Sequence, residues 1–199
     1  MIKKAEILKC SITNFTKFGS KRFTLDELAR ALGISKKTIY RYFKNKEDLV
    51  TCSIETLLND YKEEINKIVA SNGNDPILCV ILIYKRGFEY LKYFKPSFIF
   101  GLEKYYPKAS KLFNGFSNEL ASSIIYNLLT QAQTSGDIRP DVNVELVVKV
   151  YFFRIDNILF KTNNLFDLYG KQQLFKHMVV NNLKGVATSQ YSNPYFNDF

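Results

Sequence analysis

The sequence has few of the residues and motifs on which enzymes and metal sites depend. It contains one histidine, His177, and three cysteines. A lone histidine without a Cys-x-x-Cys pair excludes the usual zinc sites. No Gly-rich phosphate loop and no G-x-S-x-G nucleophile motif occurs. An enzyme would need acids and bases from Asp, Glu, Lys and Tyr, which show no recognisable spacing, so we expect no catalytic centre, metal or cofactor.

Long apolar segments are also absent. The longest unbroken apolar run is eight residues, Ile77 to Tyr84, whereas a membrane-spanning helix needs roughly 20. The basic N-terminal residues have no apolar stretch behind them, which argues against a secretory signal. The three cysteines are far apart and odd in number, which indicates a reducing compartment. We therefore expect a cytoplasmic protein that makes no membrane contact.

Positive charge is concentrated at the N-terminus. Residues 1–50 hold 12 Lys and Arg against 5 Asp and Glu, a net +7, whereas residues 51–199 hold 16 against 14. This asymmetry favours contact with nucleic acid or another anionic surface. A solvated basic surface is the alternative that charge alone leaves open.

The spacing of apolar residues predicts an all-α fold. Residues 3–18 form an apolar stripe at steps of three and four. Residues 77–84 are apolar on every side, which predicts a centrally buried helix. Residues 143–162 and 171–186 are amphipathic. Prolines and Gly115 are expected to separate shorter helices between them.

Residues 24–43 predict a helix-turn-helix. Thr24 and Glu27 have the spacing of a capping box, and Gly33 ends the short helix that follows. Ser35 is placed to cap a third helix that runs to Phe43. A fourth helix is expected from residue 46 to about residue 70.

The third helix should present a polar surface suited to DNA. Its apolar residues pack on the second helix, which leaves lysine, arginine, threonine and tyrosine side chains outward. Lysine and arginine reach phosphates and guanine edges, and the hydroxyls of Thr and Tyr can bond to bases and phosphates. The outward residues are Lys36, Lys37, Thr38, Tyr40, Arg41 and Lys44.

This stretch resembles the N-terminal domain of TetR-family transcriptional regulators. The resemblance rests on Thr-Ile-Tyr-Arg-Tyr-Phe at 38–43 and Lys-Glu-x-Leu at 46–49. It covers about a quarter of the chain by motif, and all of it by length and helical pattern. Two positions depart from the family: Lys37 replaces a common glycine, which is expected to change base preference, and Leu32 replaces a common alanine at the turn.

The resemblance implies a division into three parts. Residues 1–47 would be a three-helix DNA-binding domain, residues 48–187 a helical ligand-binding and dimerisation domain, and residues 188–199 a tail. The helices 143–162 and 171–186 would form a homodimer, although their stripes could instead pack within one chain. The sequence leaves open whether the aromatic residues of the tail dock on the body.

The resemblance also assigns roles at the DNA. The start of the third helix would face bases, and its tyrosines would contact phosphates. Lys46 would clamp the DNA backbone with the N-terminus of the fourth helix. The predicted DNA-binding residues are Thr24, Lys36, Lys37, Thr38, Tyr40, Arg41, Tyr42 and Lys46.

Members of the family usually hold a small effector in a cavity of the helical domain, and binding shifts the spacing of the two DNA-reading heads. The 30 aromatic residues favour an apolar or aromatic effector of unknown identity, although ordinary core packing would also use them. Arg86 and Glu89 could be a buried pair, polar anchors for the ligand, or water-facing residues. The predicted wall residues are Tyr84, Phe88, Tyr105, Phe113, Tyr126 and Phe152.

These features lead to two hypotheses about function. The first is a homodimeric, ligand-responsive DNA-binding regulator, most often a repressor in such families, which binds a palindromic operator and is released by a small ligand. The alternative is a small-molecule binding protein of the same fold without sequence-specific DNA binding. The intact surface from Lys36 to Tyr42 favours the first.

Overall fold

The computed structural model describes residues 3–18, 24–91, 96–156 and 165–197. Over these residues the chain is helical without a strand, and one isolated β-bridge joins Ile138 and Ala187. The predicted all-α class is confirmed. In chain order the helices are α1 (Lys4–Phe18), α2 (Leu25–Ala31), α3 (Lys36–Tyr40), α4 (Lys46–Asn72), α5 (Pro76–Leu91), α6 (Pro96–Tyr105), α7 (Pro107–Glu119), α8 (Tyr126–Thr134), α9 (Val144–Asp156), α10 (Leu165–Leu168), α11 (Lys171–Phe175), α12 (Asn181–Val186) and α13 (Pro194–Asn197).

The first helices pack around a shared apolar core. Helix α1 packs on α2, and α2 packs on α3. Phe15 of α1, Leu28 of α2 and Ile39 of α3 are almost fully buried, and Phe43 joins them beyond the end of α3. Burying these large side chains stabilises helices that are too short to persist alone in water.

The turn between α2 and α3 follows the predicted pattern. Gly33 has φ +63°, a left-handed conformation that glycine adopts without steric cost. The Ile34 N–H reaches back to the Ala29 carbonyl oxygen at 2.9 Å, which satisfies a carbonyl at the end of α2. Ser35 then caps α3 by accepting from the Thr38 N–H at 3.2 Å.

The predicted end of the third helix, Phe43, is wrong. Helix α3 ends at Tyr40, because the next residues already form the entry to α4. The Tyr42 N–H donates to the Ile39 carbonyl oxygen, a tighter turn than the helix makes. The Lys44 N–H donates to the Asp48 carboxylate at 2.8 Å, so the backbone bonds forward along the chain.

The chain divides into two compact units. One comprises Met1–Lys62 and Tyr93–Phe116, and the other comprises Glu63–Lys92 and Ser117–Phe199. Helix α4 contributes to both. The predicted functional boundary at residue 47 is a different division, and it stays a prediction.

The second unit is built on α5, which packs against α8 and α11. Ile77, Ile81 and Phe88 are almost fully buried, whereas Leu82 and Tyr84 keep partial exposure. Helix α5 is therefore buried on most of its circumference, although not on every side as the sequence predicted. The ring of Phe88 meets that of Phe175 edge-on, with 5.8 Å between the ring centroids.

Gly115 does not separate two helices as predicted. It lies inside α7 on an exposed face, where a glycine costs only about 1 kcal/mol relative to alanine. Pro107 marks the actual start of α7. Beyond α7 the helical backbone continues through a π-helical segment, Leu120–Ile125, into α8.

The amphipathic segments near the C-terminus are helical where they are described. Helix α9 begins at Val144 and is described to Asp156; residues 157–162 of the predicted segment lie outside the described residues. The second segment, predicted as 171–186, runs through α11, a π-helical segment at Lys176–Val180, and α12. No helix among the described residues is long and apolar enough to cross a membrane.

The C-terminal tail contacts α5 and α12 within the second unit. The Tyr191 hydroxyl donates to the Asp75 carboxylate at 2.6 Å, and the same carboxylate caps α5 by accepting from the Leu78 N–H at 2.9 Å. Phe196 is buried, and the Lys184 ammonium donates to its carbonyl oxygen at 3.0 Å. The tail therefore fixes the start of α5.

Replacing Tyr191 with Phe should lower the free energy of unfolding by about 1 kcal/mol or more, because the hydroxyl loses its bond to the Asp75 carboxylate and the bond it accepts from the buried Asn193 amide at 3.1 Å. Urea unfolding followed by circular dichroism measures the change. Tyr195→Phe is the matched control, since the hydroxyl of Tyr195 accepts from the exposed Lys85 ammonium at 2.9 Å and the substitution removes no bond to a carboxylate among the described residues. An equal loss in the two variants would contradict the role of the Asp75 bond.

Candidate nucleic-acid interface

Helix α3 presents an exposed polar surface on a buried apolar anchor. Ile39 is 1% exposed and fixes the rotation of the helix. Lys36, Lys37 and Arg41 are exposed around it, and Tyr40 is 48% exposed. These outer side chains of α3 are therefore accessible to a partner while its apolar side chain stays in the core.

Thr38 is the predicted base-contacting residue with the least exposure. It is half-buried, and its hydroxyl lies 2.9 Å from the Ser35 hydroxyl. The Ser35 side chain also accepts from the Thr38 backbone N–H. The Thr38 side chain therefore takes part in the cap of α3.

Lys36 has a partner that sequence reasoning missed. Its ammonium donates to the Asp26 carboxylate of α2 at 2.8 Å, and both side chains are exposed. This hydrogen bond raises the pKa of Lys36 above its usual value. A phosphate or base would have to compete with Asp26 for the lysine.

Thr24 forms the predicted capping box. The Glu27 N–H donates to the Thr24 hydroxyl at 3.2 Å, and the Thr24 N–H donates to the Glu27 carboxylate at 2.9 Å. The bonds that the Glu27 carboxylate accepts, first from the Thr24 N–H and then from the Thr24 hydroxyl at 3.0 Å, lower the pKa of Glu27. The cap orients the N-terminus of α2, where free N–H groups attract anions.

Tyr42 lies just beyond α3. It is 36% exposed, and its ring centroid is 6.5 Å from that of the buried Phe43. One part of the ring therefore supports the core while the remainder reaches solvent. This position is compatible with both readings of Tyr42, a phosphate contact and a core residue.

Lys46 begins α4 and is partly buried. The preceding Asn45 caps the helix by accepting from the Asp48 N–H at 2.8 Å. The Lys46 ammonium lies 5.9 Å from the ring centroid of Tyr106. Burial lowers the pKa of Lys46, and the nearby Glu27 carboxylate opposes that shift.

The predicted ligand-wall residues lie in both units. Tyr84, Phe88 and Tyr126 are in the second unit, and burial raises the pKa of Tyr84 well above its usual range. Tyr105 and Phe113 are in the first; Tyr105 is 42% exposed. The Phe152 side chain lies outside the described residues. Their role in ligand binding stays a prediction.

Arg86 is the centre of an ion-pair cluster in the second unit. Its guanidinium donates to Glu64 of α4, with Nη2 to Oε1 at 2.7 Å, and also to Glu89. Tyr90 donates to Glu64 at 3.2 Å, and Lys171 of α11 donates to Glu89 at 3.3 Å. The half-buried cluster connects three helices, and an open groove of about 410 Å³ runs beside it.

The N-terminal residues match a known family. The family model described as bacterial regulatory proteins, tetR family, matches residues 7–51, which include every predicted DNA-binding residue. Over residues 7–51 the chain is therefore similar to the TetR family. The members of this family are transcription regulators. The matched residues end in the first turns of α4.

Three curated relatives are helix-turn-helix transcriptional regulators. The uncharacterized YhgD of Bacillus subtilis is 38% identical over 65 residues, and the uncharacterized YvaF of the same species is 27% identical over 139 residues. IcaR of Staphylococcus aureus, a negative regulator of a biofilm operon, is 29% identical over 103 residues. The alignments span 33%, 68% and 52% of this chain, and 34%, 70% and 49% of YhgD, YvaF and IcaR.

A solved structure shows the same fold over almost the whole chain. FadR of Bacillus subtilis, solved in complex with stearoyl-CoA, superposes with a TM-score of 0.72. The comparison covers 92% of this chain and 100% of FadR at 19% identity. The predicted fold, an N-terminal helix-turn-helix domain followed by a helical C-terminal domain, is therefore confirmed.

The cluster around Arg86 should make stability depend on pH. The hydrogen bond from Arg86 lowers the pKa of Glu64. The stability that this ion pair contributes is therefore present at neutral pH and is lost as the pH falls below about 4. Glu64→Gln should lower the free energy of unfolding by about 1–2 kcal/mol at pH 7, since a hydrogen-bonded, partly solvated charge is removed.

Urea unfolding at pH 7 and at pH 3.5 tests this expectation. The difference between the parent chain and Glu64→Gln should shrink at the lower pH, because the glutamate is then becoming protonated. Glu63→Gln, on the exposed neighbouring residue of α4, is the control and should have little effect. A difference that stays constant or grows at pH 3.5 would contradict the expectation.

Proposed function

We propose that this chain is a ligand-responsive repressor that binds a palindromic operator as a homodimer. The observation that carries the proposal is the exposed surface of α3 within a helix-turn-helix that matches the TetR family. Lys36, Lys37 and Arg41 supply positive charge at this surface. The net +7 of residues 1–50, with 12 basic against 5 acidic side chains, supports an anionic partner.

The DNA contacts follow from where these side chains lie. Lys36, Lys37 and Thr38 occupy the first turn of α3, the part of a recognition helix that approaches base edges. Tyr40 and Tyr42 would donate to phosphates that flank the groove. Lys46 would hold a phosphate together with the N-terminus of α4.

Exposed apolar residues near the C-terminus support the homodimer. Leu146 and Val150 are 57% and 48% exposed one turn apart on α9. Leu168 and Tyr169, ahead of α11, are also exposed. A second copy would cover these side chains, which an isolated protein would leave in water. A twofold dimer would present two α3 helices to successive half-sites.

Regulation by a small apolar or aromatic molecule is the remaining part of the proposal. The aromatic residues of the helical domain and the complex of the similarly folded FadR with stearoyl-CoA support it. Repression as the output is supported by the relative IcaR, which is a negative regulator. A cytoplasmic location accords with this function.

The test is the salt dependence of binding to a 30-base-pair duplex of mixed sequence. Tyr40→Ala and Lys46→Ala should each bind more weakly while keeping the parent's thermal unfolding midpoint. Lys46→Ala should also reduce the slope of log affinity against log salt by about 0.9, because one phosphate contact is lost.

Lys67→Ala is the matched control, since Lys67 lies on the same helix in the other unit and should leave binding unchanged. Parent-like binding by both Tyr40→Ala and Lys46→Ala would contradict the assigned contacts. Weak, salt-sensitive binding that shows no preference among duplex sequences, with or without small-molecule extract, would favour the ligand-binding alternative.

A further inference from the structure

The Lys46 side chain interacts with Glu27, near the start of α2, and with Tyr106, which is far away in the sequence. The negative charge of the Glu27 carboxylate, in the capping box, favours the charged form of the Lys46 ammonium. Tyr106, at the junction of α6 and α7, presents its ring to the ammonium. Both contacts lie within the first unit.

Tyr106 is well placed to hold another side chain still. It is 7% exposed, and its backbone is fixed on both sides. Its N–H donates to the Leu102 carbonyl oxygen at 3.0 Å, and its carbonyl oxygen accepts from the Ser110 N–H at 2.9 Å. Pro107 follows it as the first residue of α7. The ring therefore has little freedom to move away from Lys46.

The distance suits a cation–π contact. The ammonium lies 5.9 Å from the ring centroid, within the roughly 6 Å over which the negative face of an aromatic ring attracts a cation. A lysine side chain otherwise samples many rotamers, and binding a phosphate with it requires that this freedom be lost. A lysine that is already held near the N-terminus of α4 loses less conformational freedom when it binds a phosphate.

We propose that Tyr106 is a positioning residue for DNA binding, whose ring holds the Lys46 ammonium where a backbone phosphate meets the N-terminus of α4. The inference rests on the proposed function, since it assigns Lys46 to a phosphate. It attributes the effect to the face of the ring and not to the hydroxyl. Tyr106 itself does not touch DNA.

The first experiment compares Tyr106→Leu with Tyr106→Phe on a 30-base-pair duplex of mixed sequence. Tyr106→Leu removes the ring and should weaken binding about three- to tenfold, the range of a partly desolvated cation–π contact. Tyr106→Phe keeps the ring face and should bind like the parent chain. Tyr195→Leu is the matched control, because a lysine also lies over that ring, Lys85 at 5.0 Å, but in the other unit.

A double-mutant cycle with Lys46→Ala separates positioning from general damage to the fold. If Tyr106 acts through Lys46, Tyr106→Leu should have no further effect in the Lys46→Ala background. The same loss in both backgrounds would overturn the inference, because the ring would then act through something other than Lys46. Equal loss in Tyr106→Phe and Tyr106→Leu would also overturn it.

An NMR measurement without DNA tests whether the Tyr106 ring lies against the Lys46 side chain. The ring current of Tyr106 should shift the ε-methylene protons of Lys46 upfield in the parent chain and in Tyr106→Phe, but not in Tyr106→Leu. Tyr106→Met replaces the leucine variant if the latter fails to fold. An identical Lys46 resonance with and without the ring would overturn the inference.

The outcomes also distinguish this inference from the proposed function. If the parent chain shows no salt-dependent binding to the duplex, the proposed function fails and the positioning role fails with it. If the parent binds and Lys46→Ala weakens binding, but Tyr106→Leu binds like the parent, only the positioning role fails.

Discussion

The burial of a few apolar side chains beneath α2 and α3 is the constraint on which the candidate interface depends. These helices have seven and five residues, and isolated helices shorter than about 12–15 residues are marginal in water. Leu28, Ile39 and Phe43 supply the packing that such helices lack. Side-chain caps at Thr24 and Ser35 satisfy N–H groups that would otherwise need water. The packing of its buried side chains therefore determines which side chains of α3 face the solvent.

Local features of the fold could be predicted from the sequence, and distant contacts could not. The cap at Thr24, the turn at Gly33 and the start of α4 involve residues within a few positions of each other, where spacing specifies geometry. The end of α3 was placed too late, because beyond Tyr40 the backbone tightens into a turn in which the Tyr42 N–H donates to the Ile39 carbonyl oxygen. The periodicity of apolar residues indicates which face of a helix is buried, but it does not indicate the residue at which the helix ends.

The contacts that sequence reasoning missed join residues brought together only by the fold. Tyr106 lies 60 positions from Lys46 by their numbers, and Tyr191 is 116 positions from Asp75. Neither pair has a spacing that a single sequence could reveal. Arg86 was predicted with Glu89 as one of three possibilities, and the structure adds Glu64 and Lys171. The DNA roles of the α3 residues and the ligand wall stay predictions.

In the proposed function, two copies of this chain read DNA through α3. Selection of random duplexes by the purified chain at about 150 mM salt, a concentration that suppresses much non-specific phosphate binding, tests it most directly. A twofold-symmetric dimer should enrich a twofold-symmetric motif whose half-sites lie about one helical turn, roughly 34 Å, or a multiple apart. Enrichment of no sequence, with or without small-molecule extract, would contradict it.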